Sequence, residues 1–362
     1  MVQTVESLPT DDQMALRPPV LQIMGLEKRY RNVPVVDTID LAVHQGEVLS
    51  ILGPSGCGKT TTLRLIAGFE EPDRGSIEIG GQVMSRPGRC EPPEKRRVGM
   101  VFQDGVLFPH MSVGDNVGFG VESSQRRERV AWALEVVGLG GLASRMPYEL
   151  SGGQQQRVSL ARALAPNPSI ILLDEPFASL DAALRTRLRT DVRQILATVG
   201  ATVIWVTHDQ EEALSLSDRV AVMFNGVIVQ DAAPEELYHR PVSRDVGMFV
   251  GDAQFLPGSA SGRRVTCELG DLPTYTAAEG EVDVMIRPEA LRLTPAGPDV
   301  VPNAVVTDRL FFGHDQLLRI ELASGTTLNA RLGSYGGIRP GDRVRVSLRG
   351  AVLALQTNRE SV

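Results

Sequence analysis

Gly53-Pro54-Ser55-Gly56-Cys57-Gly58-Lys59-Thr60-Thr61 follows the apolar run Val48–Leu52 and precedes Leu63-Arg64-Leu65-Ile66-Ala67. Strand, glycine-rich turn and helix in that order predict a phosphate-binding loop. Gly53, Gly56 and Gly58 are expected to let the backbone turn with positive φ and aim successive N–H groups at a polyphosphate. The helix N-terminus adds partial positive charge at the same place. Lys59 supplies a point charge and Thr60 a hydroxyl for Mg²⁺. An ordinary glycine-rich turn does not need Lys-Thr in register behind a strand, so nucleoside triphosphate binding is the expectation.

At 362 residues the chain is long enough for two or more domains. Its net charge of −7 argues against a general nucleic-acid binder. The longest apolar runs, such as Ile170–Leu173 and Val203–Val206, fall far short of the roughly twenty residues that span a bilayer. Any membrane link is therefore expected through a partner. Residues 1–19 carry Glu6, Asp11 and Asp12 without an apolar core segment, and read as a mobile tail rather than a secretory signal. Cys57, Cys90 and Cys267 are odd in number and lack metal-ligand spacing, which suits a reducing cytoplasm.

Alternating segments at 21–26, 35–43, 48–52 and 76–79 predict mixed sheet around the loop's helix. The stretch from Arg86 to Arg97 has no periodicity and reads as an exposed loop with solvated charges. Val130, Leu134, Val137 and Leu139 stand at helix spacing, so a helical subdomain is expected over about 104–165. Two βα units follow, strand 170–173 with helix 182–199 and strand 202–206 with helix 210–216. After Asp252 short strands with Gly/Pro turns predict a small all-β domain over 252–362. The fold class is thus an α/β phosphate-loop domain over 20–251 followed by a small β-barrel.

Asp174 and Glu175 close the buried strand Ile170–Leu173, the edge at which ligands sit in doubly wound sheets. Asp174 is expected to help hold Mg²⁺ and Glu175 to polarise an attacking water. Leu150-Ser151-Gly152-Gly153-Gln154 opens a second helix, with a hydroxyl and two glycines that let a phosphate approach. A capped helix explains Ser151 but not both glycines. Two phosphate-recognition elements in one chain serve the same nucleotide only if two chains meet.

These residues resemble the ATP-binding cassette family over roughly 20–250. Gln103 in Met100-Val101-Phe102-Gln103 matches its Q-loop, Ser179-Leu180-Asp181 its D-loop, and His208 after Val206-Thr207 its switch histidine. Tyr30 stands where the family stacks an aromatic ring on adenine, with core packing as the other reading, and Val35 flanks the same ring. The resemblance implies a head-to-tail dimer enclosing two ATP molecules. Ser151, Gly152 and Gly153 of one chain would cap the γ-phosphate held by Lys59 of the other, and ATP binding is implied for Tyr30, Val35, Gly53 to Thr61, Gln103, Ser151 to Gln154, Asp174, Asp181 and His208. Lys59, Glu175, His208 and Gln103 would carry catalysis, with Mg²⁺ near Thr60, Asp174 and Gln103.

Leu107 and Phe108, ahead of Pro109-His110-Met111, resemble the segment by which importer ATPases grip a membrane subunit; core packing is the alternative. Val284–Leu293 and Leu310–Leu318 resemble the C-terminal TOBE-type barrel of importer ATPases for sugars, polyamines, sulfate or molybdate, and ferric iron. Phe311-Phe312 departs from the more usual single aromatic followed by Leu. The junction from Phe249 to Pro257 looks most like the ferric-iron group. Arg287 and Glu289 are expected as a structural ion pair inside the barrel. The resemblance implies a homodimer on the cytoplasmic face of the membrane, with two permease subunits, a solute-binding protein and no nucleic acid. A soluble cassette protein acting on ribosomes or DNA is the competing class, and a regulatory sensor role for the barrel is compatible with import.

Overall fold

The computed structural model describes residues 18–102, 107–178, 182–335 and 337–357, the side chains of 182–184 excepted. Gln103 and Ser179-Leu180-Asp181 lie outside the described residues, as do 1–17 of the N-terminal tail. The chain divides between Pro234 and Glu235 into two compact units.

The first unit runs β1 (Leu21–Tyr30), β2 (Val33–Val43), β3 (Val48–Leu52), α1 (Lys59–Ala67), β4 (Arg74–Ile79), β5 (Gln82–Arg86), β6 (Arg89–Cys90) and β7 (Val98–Val101). Three helices follow, α2 (Val113–Val117), α3 (Arg126–Val136) and α4 (Gly152–Leu164). The unit then continues with β8 (Ile170–Asp174), α5 (Ala182–Thr198), β9 (Val203–Thr207), α6 (Gln210–Leu216), β10 (Arg219–Phe224) and β11 (Val227–Ala232). One antiparallel sheet has the order β2-β1-β4-β5-β6, and the other the order β11-β10-β3-β9-β8-β7. From β10 to β7 every pairing in the second sheet is parallel.

The central parallel strands are apolar on both faces because both are covered. Leu49, Ile51, Leu172, Ile204 and Val206 join Leu63 and Ile66 of α1 and Leu21 and Ile77 of the antiparallel sheet in one core. Ile171, Leu173, Val203 and Trp205 point the other way, to Val158 and Leu164 of α4 and Leu188 and Val192 of α5. Gly138, with φ of +68°, lies just past α3, so Val137 and Leu139 are buried beyond the helix end rather than inside it.

The exposed loop expected over Arg86–Arg97 is corrected. The stretch forms β6 and a 3₁₀ turn at Pro93–Lys95, and Arg96 has no solvent exposure at all. Its Nη1 donates to the carbonyls of Leu65 and Ile66, both at 2.9 Å, its Nε to that of Glu91 at 2.7 Å, and its Nη2 to Ser85 Oγ at 2.5 Å. The last carbonyls of α1 have no partner within the helix, and a planar guanidinium satisfies two of them at once.

The second unit contains α7 from the division onward (Pro234–His239), α8 (Arg244–Val250), β12 (Gln254–Cys267), β13 (Gly270–Ile286), β14 (Leu291–Pro295), β15 (Ala304–Phe311), β16 (Asp315–Leu322), β17 (Thr327–Gly333), β18 (Arg343–Leu348) and β19 (Leu353–Gln356). Its sheets have the orders β12-β13-β19 and β14-β18-β15-β16-β17 around one apolar core. The division precedes the composition change at Asp252 because α7 and α8 are tied to the barrel through Arg287. Nη1 of Arg287 donates to the carbonyls of Gly247 (2.9 Å), Gly251 (2.8 Å) and Asp252 (3.1 Å), and Nη2 to that of Tyr238 (2.7 Å).

Two expectations change here. Arg287 is spent on those backbone carbonyls, and Glu289 accepts from the Tyr238 hydroxyl instead of pairing with Arg287. The first strands are not short: β12 and β13 form a hairpin of 14 and 17 residues. Gly262 sits at a register shift inside the hairpin, where a bulge absorbs its φ of +60°.

Because Arg96 serves α1 alone among the helices, Arg96→Ala is expected to lower unfolding free energy by about 3 kcal/mol or more, from orphaned carbonyls and a cavity. Arg96→Lys recovers only part of this, since an ammonium has no planar fork. Urea unfolding of the full chain measures both.

Candidate functional site

The phosphate loop leaves β3 at Leu52, Glu175 follows β8 at Asp174, and His208 follows β9 at Thr207. These strands are neighbours, with Leu52 paired to Thr207 and Val206 to Asp174. Three segments distant in sequence therefore emerge side by side at the carboxyl edge of one parallel sheet, where α/β sheets bind ligands.

Gly56 and Gly58 take φ of +80° and +110°. Gly53 does not have positive φ, which corrects the expectation for that residue. Its glycine requirement is close approach, since a Cβ there would stand 2.3 Å from the Met223 carbonyl oxygen and 2.6 Å from Cys57 Sγ. The loop is also held from behind, by the Gly226 N–H donating to the Cys57 carbonyl at 3.0 Å. Helix α1 begins at Lys59 with no side-chain cap and no acid in its first turn. Among the described residues no hydrogen bond runs from the N–H groups of Gly58, Thr60 and Thr61 to a protein acceptor, while that of Lys59 faces the Cys57 thiol. Such a row of free donors at a nine-residue helix start suits an anion. Lys59 Nζ meanwhile folds back onto the carbonyls of Gly53 (2.7 Å) and Pro54 (2.9 Å).

Thr60 Oγ1 donates to Asp174 Oδ1 at 3.1 Å. Asp174 is 7% exposed, and burial pushes its carboxyl above the usual range. The Thr60 hydrogen bond opposes this, the adjacent Glu175 charge adds to it, and Arg64 and Lys59 pull it back. The two oxygens fit a hard cation such as Mg²⁺, which takes one or two protein oxygens and completes its shell with phosphate and water. In keeping with that sparse donor set, no group of three or more His, Cys, Asp or Glu able to hold a metal occurs among the described residues.

Glu175 adopts φ of +44°, a left-handed conformation unusual for a side chain of its size, and its N–H donates to the Val206 carbonyl at 2.9 Å. Its Oε2 lies 3.0 Å from His208 Nδ1. Strain of this kind at a carboxylate beside a histidine is a feature of functional turns.

Tyr30 ends β1 with 39% of its surface exposed, and Lys28 Nζ stands 5.5 Å from its ring centre. The ring is thus on the surface rather than in the core; Val35 is half-buried on β2. Ser151 caps α4, its Oγ accepting from Gln154 N at 3.4 Å while Gln154 Oε1 accepts from Ser151 N at 2.9 Å. Gly152 is exposed and Gly153 buried. No hydrogen bond or ion pair among the described residues joins 151–154 to the phosphate loop. Leu107 is buried, whereas Phe108 is half-buried with its ring 4.7 Å from that of exposed Phe119. Sequence reading missed the Gly226 turn behind the loop and a buried arginine, Arg189, beside the segment that carries His208. The acidic run Asp209, Glu211, Glu212 was the visible signal for that cation.

A phosphate loop, a strand-end carboxylate pair and a following histidine on this sheet define a nucleotide-binding cassette. The ABC transporter family model matches residues 36–178, and the TOBE domain model residues 284–355. The chain belongs to the ABC transporter family, as an ATP-binding importer subunit with a C-terminal TOBE domain. It is 44% identical over 342 residues to the Fe(3+) ions import ATP-binding protein FbpC 1 of Rhodococcus jostii, covering 92% of this chain and 98% of that one. It is 42% identical over 348 residues to the spermidine/putrescine import ATP-binding protein PotA of Ruegeria pomeroyi, covering 91% and 94%. Among solved structures, a Clostridium perfringens protein that is part of an ABC transporter complex matches with a TM-score of 0.56 at 28% identity, over 62% of this chain and 92% of that one. An ATP-binding cassette dimer in a post-hydrolysis state with ADP and Pi matches with a TM-score of 0.52 at 30% identity, over 59% and 98%.

The raised carboxyl of Asp174 has a sign that can be checked. Its ionised form is disfavoured in the fold, so the cost is present at neutral pH and vanishes as pH falls through its raised pKa. Asp174→Asn is expected to stabilise the nucleotide-free chain at neutral pH. The gain should shrink on acidification, while Mg²⁺-dependent hydrolysis is lost; thermal unfolding across pH reads the first and phosphate release the second.

Proposed function

We propose that the chain hydrolyses ATP at a site completed by a second copy, and that this drives ferric-iron uptake. The observation that carries the site is the pairing of Thr60 with Asp174 at 3.1 Å and of Glu175 with His208 at 3.0 Å on adjacent strand ends. The free N–H groups of Gly58, Thr60 and Thr61 would receive the phosphates, and Lys59 would exchange its loop carbonyls for phosphate oxygens. Tyr30 would stack on adenine beside Val35; a base against an aromatic face is worth about 1–3 kcal/mol. Mg²⁺, held by Thr60, Asp174 and Gln103, would offset phosphate charge. Glu175 would accept the proton of the attacking water, and His208, its imidazole against Glu175, would hold the γ-phosphate end of the site. Positioning and electrostatics carry most of such a transfer.

Ser151, Gly152, Gly153, Gln154 and Asp181 of the second copy would close over the γ-phosphate. Capping by Ser151 and Gln154 supports this role, because it presents the α4 N-terminus without an acid in its first turn. The half-exposed Phe108 and exposed Phe119 suit a permease segment, which would seat the pair on the cytoplasmic face of the membrane, with a solute-binding protein across it. The names of the FbpC relatives support iron, and the 42% identity to PotA favours polyamine as the second reading.

Glu175→Gln is expected to keep ATP binding, lower kcat by about 10²–10³-fold, and accumulate the closed dimer. Turnover at the wild-type rate would sink the assignment. For the solute, a host strain lacking the chain is expected to lose uptake of radiolabelled ferric iron and keep that of spermidine; the reverse pattern assigns polyamine.

A further inference from the structure

Arg189 stands on α5 with only 8% of its surface exposed, in the unit that holds the nucleotide site. Its Nη2 bonds Asp209, and its Nε and Nη2 lie 3.3 and 3.2 Å from Glu212 Oε1. Its Nη1 reaches the exposed Glu211 at 3.2 Å. Glu212 is itself buried, and its other oxygen accepts from Thr207 Oγ1 at 2.7 Å. Thr207 Oγ1 in turn accepts from Asp209 N at 3.0 Å, and Asp209 Oδ1 accepts from Glu212 N at 3.1 Å, capping α6. Thr207 and Asp209 are the two residues that flank His208. The loop of bonds therefore closes around the histidine's backbone without touching its ring.

We propose that Arg189 is a positioning residue that holds His208 against Glu175 through Glu212, Thr207 and Asp209. The imidazole is about half exposed and among the described residues its one bond is to Glu175, so its placement depends on the backbone on either side. That backbone includes the start of a seven-residue helix that carries Glu211 and Glu212 and is capped by a third acid, Asp209. Without a buried cation their mutual repulsion would splay the turn. Arg189 supplies the buried cation from a different element, α5, which begins directly after the Ser179–Asp181 segment, while Nη1 of the more exposed Arg185 of the same helix lies 3.7 Å from Asp209 Oδ2. The strand end, the histidine turn and α5 thereby move as one piece.

The inference rests on the proposed roles of Glu175 and His208, and steady-state ATP hydrolysis by the purified full chain separates the two. Arg189→Gln and Glu212→Gln are each expected to lower kcat at least about tenfold with KM for ATP within about twofold of wild type. The double variant should be no slower than the slower single one, because both break the same link. Arg189→Lys should recover part of kcat, since it keeps the charge and loses the fork. ATP-binding stoichiometry corrects each rate for the folded fraction, and Glu212→Gln carries the test if Arg189→Gln does not fold. Both single variants turning over within twofold of wild type, while His208→Ala is impaired, would overturn the role of Arg189 alone. A His208→Ala chain as active as wild type would overturn the site reading beneath it.

Discussion

The ladder that pairs Leu52 with Thr207 and Val206 with Asp174 decides where each chemical group can stand. Side chains within these strands are committed to the two cores, so only residues at the strand ends and beyond them are free to face a ligand. Asp174 is the last residue of β8, Glu175 and His208 come just after their strands, and Lys59 and Thr60 open α1 beyond the loop that leaves β3. Burial of the strands on both faces makes a slip in register costly, because it would turn one core's side chains into the other. The position of the carboxylate pair relative to the phosphate loop is thus fixed by apolar packing rather than by contacts within the site.

Buried charge is handled in two ways. Arg96, Arg189 and Arg287 are all nearly or fully enclosed, and each guanidinium ties an element in place. Arg96 satisfies the end of α1, Arg189 the start of α6, and Arg287 the carbonyls around α8. Asp174 is treated differently, for among the described residues its carboxylate receives only the Thr60 hydroxyl. A buried anion with one neutral donor is costly in the empty protein and suited to a cation arriving with nucleotide. The site keeps uncompensated the charge that its ligand would compensate.

Much of this was legible in the residues. The phosphate loop, the strand ending at Asp174, the capped helix after Ser151 and the histidine turn each carry a local pattern of apolar run, glycine and polar end, and local patterns survive into the fold. What was not legible depended on partners far away in sequence. Gly53 has the composition of a flexible position, yet its constraint is the Met223 carbonyl of another strand. Arg96 looked like one charge among several in a Pro-rich loop, and only the end of α1, some thirty residues earlier, explains its burial. Arg287 and Glu289 had the right signs and spacing for a pair, but helix carbonyls compete better for a planar guanidinium with fixed directions. Gly262 in β12 marks a bulge instead of a strand end, since a sheet partner can absorb positive φ without ending a strand.

The central claim is that one chain's phosphate loop is completed by another chain's Ser151 segment, and mixing two damaged chains tests it most directly. Lys59→Ala removes the loop cation, and Gly152→Asp places a carboxylate at the exposed first position of α4, where a helix N-terminus tolerates it. Each variant alone is expected to be inactive. In a mixed pair one site combines both lesions and the other combines neither, so ATP hydrolysis should return on mixing. Two inactive chains that stay inactive together, despite forming mixed dimers, would contradict the shared site.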